Sequence, residues 1–113
     1  MPRDANDLLH GTLDVLVLKT LSWGPTHGYG ITKWIEQCTG NELEIVDSAL
    51  YKALHRLEES EAISAEWGVS ENNRRAKYYS LTARGRHLLR AETATWKRYV
   101  AAVSSVLEPS EGT

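Results

Sequence analysis

Asp47–Glu59 reads DSALYKALHRLEE, and the fold turns on how this stretch is read. Leu50, Leu54 and Leu57 recur at i, i+4 and i+7, which places them on one stripe of an α-helix. Ala49, Lys52, His55, Arg56 and Glu59 fall mostly on the other side. Asp47 or Ser48 can accept hydrogen bonds from the first free backbone amides, so the helix is expected to begin there. The open face near that start carries small and basic residues. A helix of this kind buries its leucines in its own domain and leaves a face that fits a DNA major groove. The same pattern describes an ordinary amphipathic surface helix, so the flanking sequence has to decide between them.

Upstream, His27–Cys38 reads as a second helix, with Thr26 as a candidate cap. Ile31, Trp34, Ile35 and Cys38 form its inner stripe, while Thr32, Lys33, Glu36 and Gln37 face out. Gly40 is placed to end it in a left-handed conformation. Asn41–Val46 is then a short connector, and the two helices have the outline of a helix-turn-helix. Before the Ser22–Thr26 turn lies Leu8–Leu21, LLHGTLDVLVLKTL, with Leu9, Leu13, Leu16 and Thr20 on one face. Val15, Val17, Leu18 and Leu21 fall elsewhere, so this helix is apolar most of the way round. Either it is the central core helix of a monomer, or a second chain covers part of it.

Downstream, the period changes from helical to alternating. Ile63, Ala65, Trp67 and Val69 point one way, Ser64 and Glu66 the other. Ala76–Leu81 fits a second strand, and the polar SENNRR segment Ser70–Arg75 fits the turn, with Asn72 and Asn73 able to adopt left-handed conformations. Such a hairpin is barely stable alone and is expected to pack on the helices by its Trp67 side. Thr82 is a good N-cap for a long helix reaching about Leu107. Along that helix Leu89, Trp96, Tyr99, Val103 and Val106 form a heptad-like seam. Nothing later in the chain can cover the seam, so a homodimer closed by a twofold axis is expected.

The 113 residues suffice for one small domain. The expected class is α+β, mainly α, with residues 1–81 forming a winged helix-turn-helix and residues 82–113 a dimerisation helix and tail of the same compact unit. A single cysteine, Cys38, excludes an internal disulfide and is read as a small buried hydrophobe. No apolar run reaches membrane-spanning length and the N-terminus MPRDAND does not resemble a secretion signal, so a cytoplasmic protein is expected. No nucleophile constellation, dinucleotide fingerprint or histidine pair at ligand spacing is present, which argues against an enzyme, a cofactor and a metal.

The net charge is −2, so a nucleic-acid site has to come from local clustering. Such a cluster exists: between Asn72 and Ala91 lie Arg74, Arg75, Lys77, Arg84, Arg86 and Arg90, with no acidic residue. Part of it sits on the hairpin tip, directly after the helix-turn-helix. Arginines there clamp phosphates or enter the minor groove, and Asn72 and Asn73 add amide contacts. Lys33, Ser48, Ala49, Tyr51, Lys52, His55 and Arg56 complete the candidate DNA-contacting set. The candidate dimer interface comprises Leu9, Leu13, Leu16, Leu89, Trp96, Tyr99, Val103 and Val106.

Leu9–Leu16 (LHGTLDVL), Gly24–Ile31 (GPTHGYGI), Leu50–Glu58 (LYKALHRLE), Trp67–Gly68 and Arg74–Thr82 (RRAKYYSLT) with Gly85 follow one another in an order that resembles the PadR family of winged helix-turn-helix transcriptional regulators. The likeness is to small members with a single C-terminal dimerisation helix. It implies a dimeric repressor on a pseudo-palindromic DNA operator, released by a small molecule or another signal. It also implies that Ser48–Ser60 is the recognition helix and that Arg74, Arg75 and Lys77 belong to the wing. Trp96 falls where some small members carry an aromatic facing the cavity between subunits, where it would stack on a small aromatic or apolar effector; plain dimer packing accounts for it equally. The sequence departs from the family at Ser48, Ala49 and Lys52, where many members have Gly, Ser or Thr, and Pro, and at Asn72-Asn73, where glycines are frequent. A protein-interaction module on the same scaffold, binding no DNA, is the alternative that the negative net charge permits.

Overall fold

The computed structural model of the chain describes residues 12–109. In chain order these form α1 (Leu13–Leu21), β1 (Thr26–His27), α2 (Gly28–Cys38), α3 (Asp47–Glu59), β2 (Ile63–Val69), β3 (Arg75–Leu81) and α4 (Ala83–Leu107). The class is mainly helical α+β, a winged helix-turn-helix with a long C-terminal helix. Leu9 and the start of the helix expected from Leu8 lie outside the described residues.

The core forms where the apolar stripes of the helices meet. Val17, Leu18 and Leu21 of α1, Ile31 and Ile35 of α2, and Leu50, Ala53, Leu54 and Leu57 of α3 are all buried, with Ile63 and Tyr79 closing the sheet side. Burial of each such leucine or isoleucine contributes about 1.5–3 kcal/mol. α1 packs on both α3 and α4, so it lies at the centre of the helical layer. Leu13, expected at a dimer interface, belongs to this core and is 6% exposed.

The connector between α2 and α3 is fastened by side chains of α2. Gly40 takes φ +57°, the left-handed conformation that closes a helix at little steric cost. The Thr39 hydroxyl oxygen accepts from the Leu43 amide at 3.3 Å, and Glu36 Oε2 accepts from the Ile45 amide at 3.2 Å. Ile45 is thereby drawn into the core. Two expected caps differ. Val46, not Asp47 or Ser48, precedes α3, and no side chain caps that end. At α2 the cap is His27, whose Nδ1 accepts from the Gly30 amide at 3.0 Å, because Thr26 is engaged in β1 opposite Tyr79.

The sheet is antiparallel in the order β1-β3-β2, one strand more than the expected hairpin. β3 begins at Arg75, and of the two asparagines in the turn only Asn73 is left-handed, at φ +60°. The register pairs Ile63 with Leu81, Ala65 with Tyr79, Trp67 with Lys77 and Val69 with Arg75. Side chains of paired residues share a face. That face is buried at Ile63 and Tyr79 but open at Trp67 and Val69. Trp67 therefore does not pack on the helices as expected, since the hairpin outruns the core before reaching it. Cys38 is likewise exposed rather than buried, because it ends α2 one turn beyond the last core contact, Ile35. Thr32, expected to face out, has its Oγ1 buried without a hydrogen-bond partner.

α4 starts from a tight joint. Thr82 caps it, its Oγ1 accepting from the Gly85 amide at 3.0 Å and donating toward the carbonyls of Glu61 and Ala62 at 2.7 and 2.9 Å. Arg84 Nη1 donates to the Ser60 carbonyl at 2.9 Å. The C-terminal turn of α3 and the first turn of α4 are thus clamped together. Beyond this joint α4 runs for 25 residues, about 37 Å at 1.5 Å per residue. Trp96, Tyr99, Val103 and Val106 all stand exposed on its far part.

Candidate nucleic-acid interface

The leucine stripe of α3 fixes which residues it shows. Ser48, Tyr51, Lys52, His55 and Arg56 line one shallow hollow on its outer face, and Ala49 is exposed at its first turn. A second hollow of about 490 Å³ lies between the start of α2, α3 and the hairpin tip. Its walls include His27, Tyr29, Tyr51, Trp67, Asn72, Arg74, Arg75 and Lys77. Tyr51 lines both hollows, so the outer face of α3 and the wing form one continuous surface. Gly28 makes this junction narrow, since a Cβ there would lie 2.8 Å from the Tyr51 hydroxyl.

The cations on this surface are not equivalent. Arg56 Nη2 donates to Asp14 Oδ1 at 2.6 Å, which ties it back to α1. The hydrogen bond, and after it the charge of Asp14, hold the guanidinium above its ordinary pKa. Lys77 reaches Glu58 of α3 at 3.3 Å and lies over the Tyr79 ring at 5.7 Å. This pair joins wing to helix. Burial, then the charge of Glu58, then Tyr51, push the Tyr79 phenol up. Arg75 stacks on Trp67, 4.5 Å from the ring centroid, which holds the guanidinium while leaving its N–H edges available. His55 pairs with Glu59 at 3.5 Å, and Lys33 lies over Tyr29 at 5.7 Å. Lys52, Arg74 and Arg75 have no carboxylate partner among the described residues.

Most of the residues singled out in the sequence therefore fall on this one surface. Lys52, His55 and Tyr51 share the α3 hollow; Asn72, Arg74, Arg75 and Lys77 share the wing hollow. Asn73 is exposed at the tip and Lys33 on α2. Sequence reasoning missed Tyr29 and Trp67 as parts of the surface, and Asp14 and Glu58 as partners of its cations. Tyr29 had a readable signal, its i, i+4 spacing from Lys33. Asp14 had none, because it lies 42 residues from Arg56.

A separate apolar groove of about 890 Å³ runs between α1 and α4. Val15, Leu16, Leu89, Ala94 and Trp96 line it, with Lys19 and Lys97 also on its walls. Of the α1 residues expected at an interface, Leu16 is on the groove, whereas Val15 takes the place anticipated for Leu13. Among the described residues no cluster of three or more His, Cys, Asp or Glu is disposed to hold a metal, and no helix is long and apolar enough to cross a membrane.

Helix, connector, exposed second helix and basic hairpin define a winged helix-turn-helix regulator. Residues 17–91 match the Transcriptional regulator PadR-like family, more than half of the chain. The chain belongs to that family, which consists of regulators rather than enzymes. A transcriptional regulator from Clostridium thermocellum has a similar structure, with TM-score 0.80 and 28% identity, covering 88% of this chain and 96% of that one. A PadR family transcriptional regulator from Eggerthella lenta has TM-score 0.77 and 31% identity, covering 92% and 88%. An uncharacterized protein of Lysinibacillus sphaericus is 28% identical over 106 residues, 94% of this chain and 97% of that protein.

Proposed function

We propose that this regulator is a homodimeric repressor that reads a pseudo-palindromic operator with α3 and grips its flanks with the wing. The supporting observation is the continuous surface joined at Tyr51, on which Lys52, Arg74 and Arg75 carry charge with no carboxylate beside it. A helix face on one side and a basic hairpin on the other match a major groove and the adjoining phosphate backbone. α3 acts as the recognition helix, with Lys52 and His55 facing base edges and Ser48, Ala49 and Tyr51 near the backbone. Two copies would place their α3 helices roughly 34 Å apart, one turn of B-DNA. The exposed Trp96, Tyr99, Val103 and Val106 supply the apolar seam for the second copy. The α1–α4 groove that Trp96 lines then lies beside the subunit boundary, and its apolar walls suit a small aromatic or apolar effector.

The test is DNA binding against salt. Replacing Arg74 and Arg75 together by alanine removes two phosphate contacts, which flattens the slope of log affinity on log salt by about 1.8. Between 50 and 200 mM salt the variant should lose roughly twelvefold less affinity than the unmodified protein. An unchanged slope removes the wing from the interface. Lys52→Ala should instead change the ranking of operator variants; equal loss on every duplex makes Lys52 a phosphate contact.

A further inference from the structure

Arg56 stands on the outer face of α3, in the same hollow as Lys52 and His55, yet its guanidinium is turned toward α1 and held by Asp14 at 2.6 Å. The contact is not part of the core. The side chains are 58% and 36% exposed, so both partners are within reach of water and of a large anion. A guanidinium can serve one carboxylate or one phosphate through the same N–H fork, and the two compete. Neighbouring Lys52 has no such partner among the described residues.

We propose that Asp14 restrains Arg56, withholding one cation of the recognition face from DNA until a backbone phosphate displaces the carboxylate. Asp14 sits in the first turn of α1, where a carboxylate also favours the helix dipole, so it remains in place when Arg56 leaves. The restraint weakens binding to every duplex alike, because phosphate is present in all of them, and it leaves base discrimination to Lys52 and His55. This inference rests on the DNA-binding reading.

The experiment measures binding of the full chain to a labelled double-stranded oligonucleotide by fluorescence anisotropy across a salt series. Four proteins are compared: the unmodified chain, Asp14→Asn, Arg56→Ala and the double variant. An exposed ion pair is weak, so freeing Arg56 in Asp14→Asn should tighten binding about two- to fivefold at roughly 0.1 M salt. The salt slope should steepen by up to about 0.9, the contribution of one added phosphate contact. Both changes should vanish when Arg56 is already alanine. A merely structural carboxylate would move neither slope nor cycle. If Asp14→Asn tightens binding equally in the Arg56→Ala background, Asp14 acts only through overall charge and the restraint is overturned. Unchanged or weaker binding by Asp14→Asn overturns it as well. Asp14→Ser serves as the second variant, with melting followed by circular dichroism to establish that each is folded. Failure of the unmodified chain to bind any duplex overturns the DNA-binding reading itself, a result distinct from a missing difference between variants.

Discussion

Gly85→Ala puts the α3–α4 joint to the test. Gly85 is the third residue of α4 and is buried against the turn that leaves α3. A Cβ built there would lie 2.0 Å from the Ala62 carbonyl oxygen and 2.7 Å from Leu81 Cδ1. An ordinary carbon–oxygen contact is about 3.3 Å, so the first turn of α4 has to retreat by about 1.3 Å. The Thr82 amide bond to the Ala62 carbonyl is 3.1 Å long, and the Thr82 hydroxyl and Arg84 bonds to the same turn are 2.7–2.9 Å. Such a retreat breaks two or three of them, at about 0.5–1.5 kcal/mol each. Alanine recovers about 1 kcal/mol through its higher helix propensity. The net loss is roughly 1–3 kcal/mol, and each kcal/mol lowers Tm by about 4–8 °C in a domain of this size. Thermal unfolding followed by far-UV circular dichroism, at two protein concentrations to separate dimer effects, reads the change. A Tm equal to or above that of the unmodified chain refutes the close approach, because helix propensity would then be the only term acting.

Three further outcomes are expected. His27→Ala removes the acceptor for the Gly30 amide at the start of α2 and should cost about 0.5–2 kcal/mol in denaturant titration; an unmoved midpoint denies His27 the capping role. Val103→Asp places a carboxylate on the α4 seam, where the side chain is 36% exposed in the single chain. It should shift the protein to monomer in sedimentation velocity with the helical spectrum retained, and an unaltered sedimentation coefficient takes Val103 out of the dimer contact. Tyr79 has its phenol raised in the folded chain, so its stabilising effect is complete below the unfolded value of about 10 and is lost as pH rises through the folded value. Tyr79→Phe should therefore flatten the fall in stability above about pH 10; curves that remain parallel to those of the unmodified chain remove Tyr79 from the alkaline transition.

Where sequence periodicity and tertiary burial coincide, the chain is legible. The stripe Leu50, Leu54 and Leu57 predicts a helix whose bounds are those of α3, and all three leucines are buried. The alternation from Ile63 predicts β2, and Thr82 caps α4 as its residue type and position suggest. What periodicity does not contain is how far each element extends past its neighbours. Trp67 is in phase with Ile63 and Cys38 is in phase with Ile35, yet both stand beyond the edge of the core and are exposed. Pairings across the chain are equally invisible. Arg56 reads as an open cation beside Lys52, while in the fold one faces a carboxylate and the other does not.

α1 shows why this matters for function. A helix apolar on nearly every side gives no phase from which to choose its inner face, so Leu13 and Val15 are interchangeable on sequence grounds. The fold breaks the tie. Leu13, Val17 and Leu21 are taken by the core, which turns Val15 and Leu16 to the groove beside α4. The same rotation carries Asp14 toward α3, where it meets Arg56. One helix thus touches the core, the apolar groove and the cationic face of α3 at once. Those three contacts cannot be altered independently: a displacement of α1 large enough to refill the groove also changes the distance between Asp14 and Arg56. In this chain the physical route from groove to recognition face is a single turn of helix.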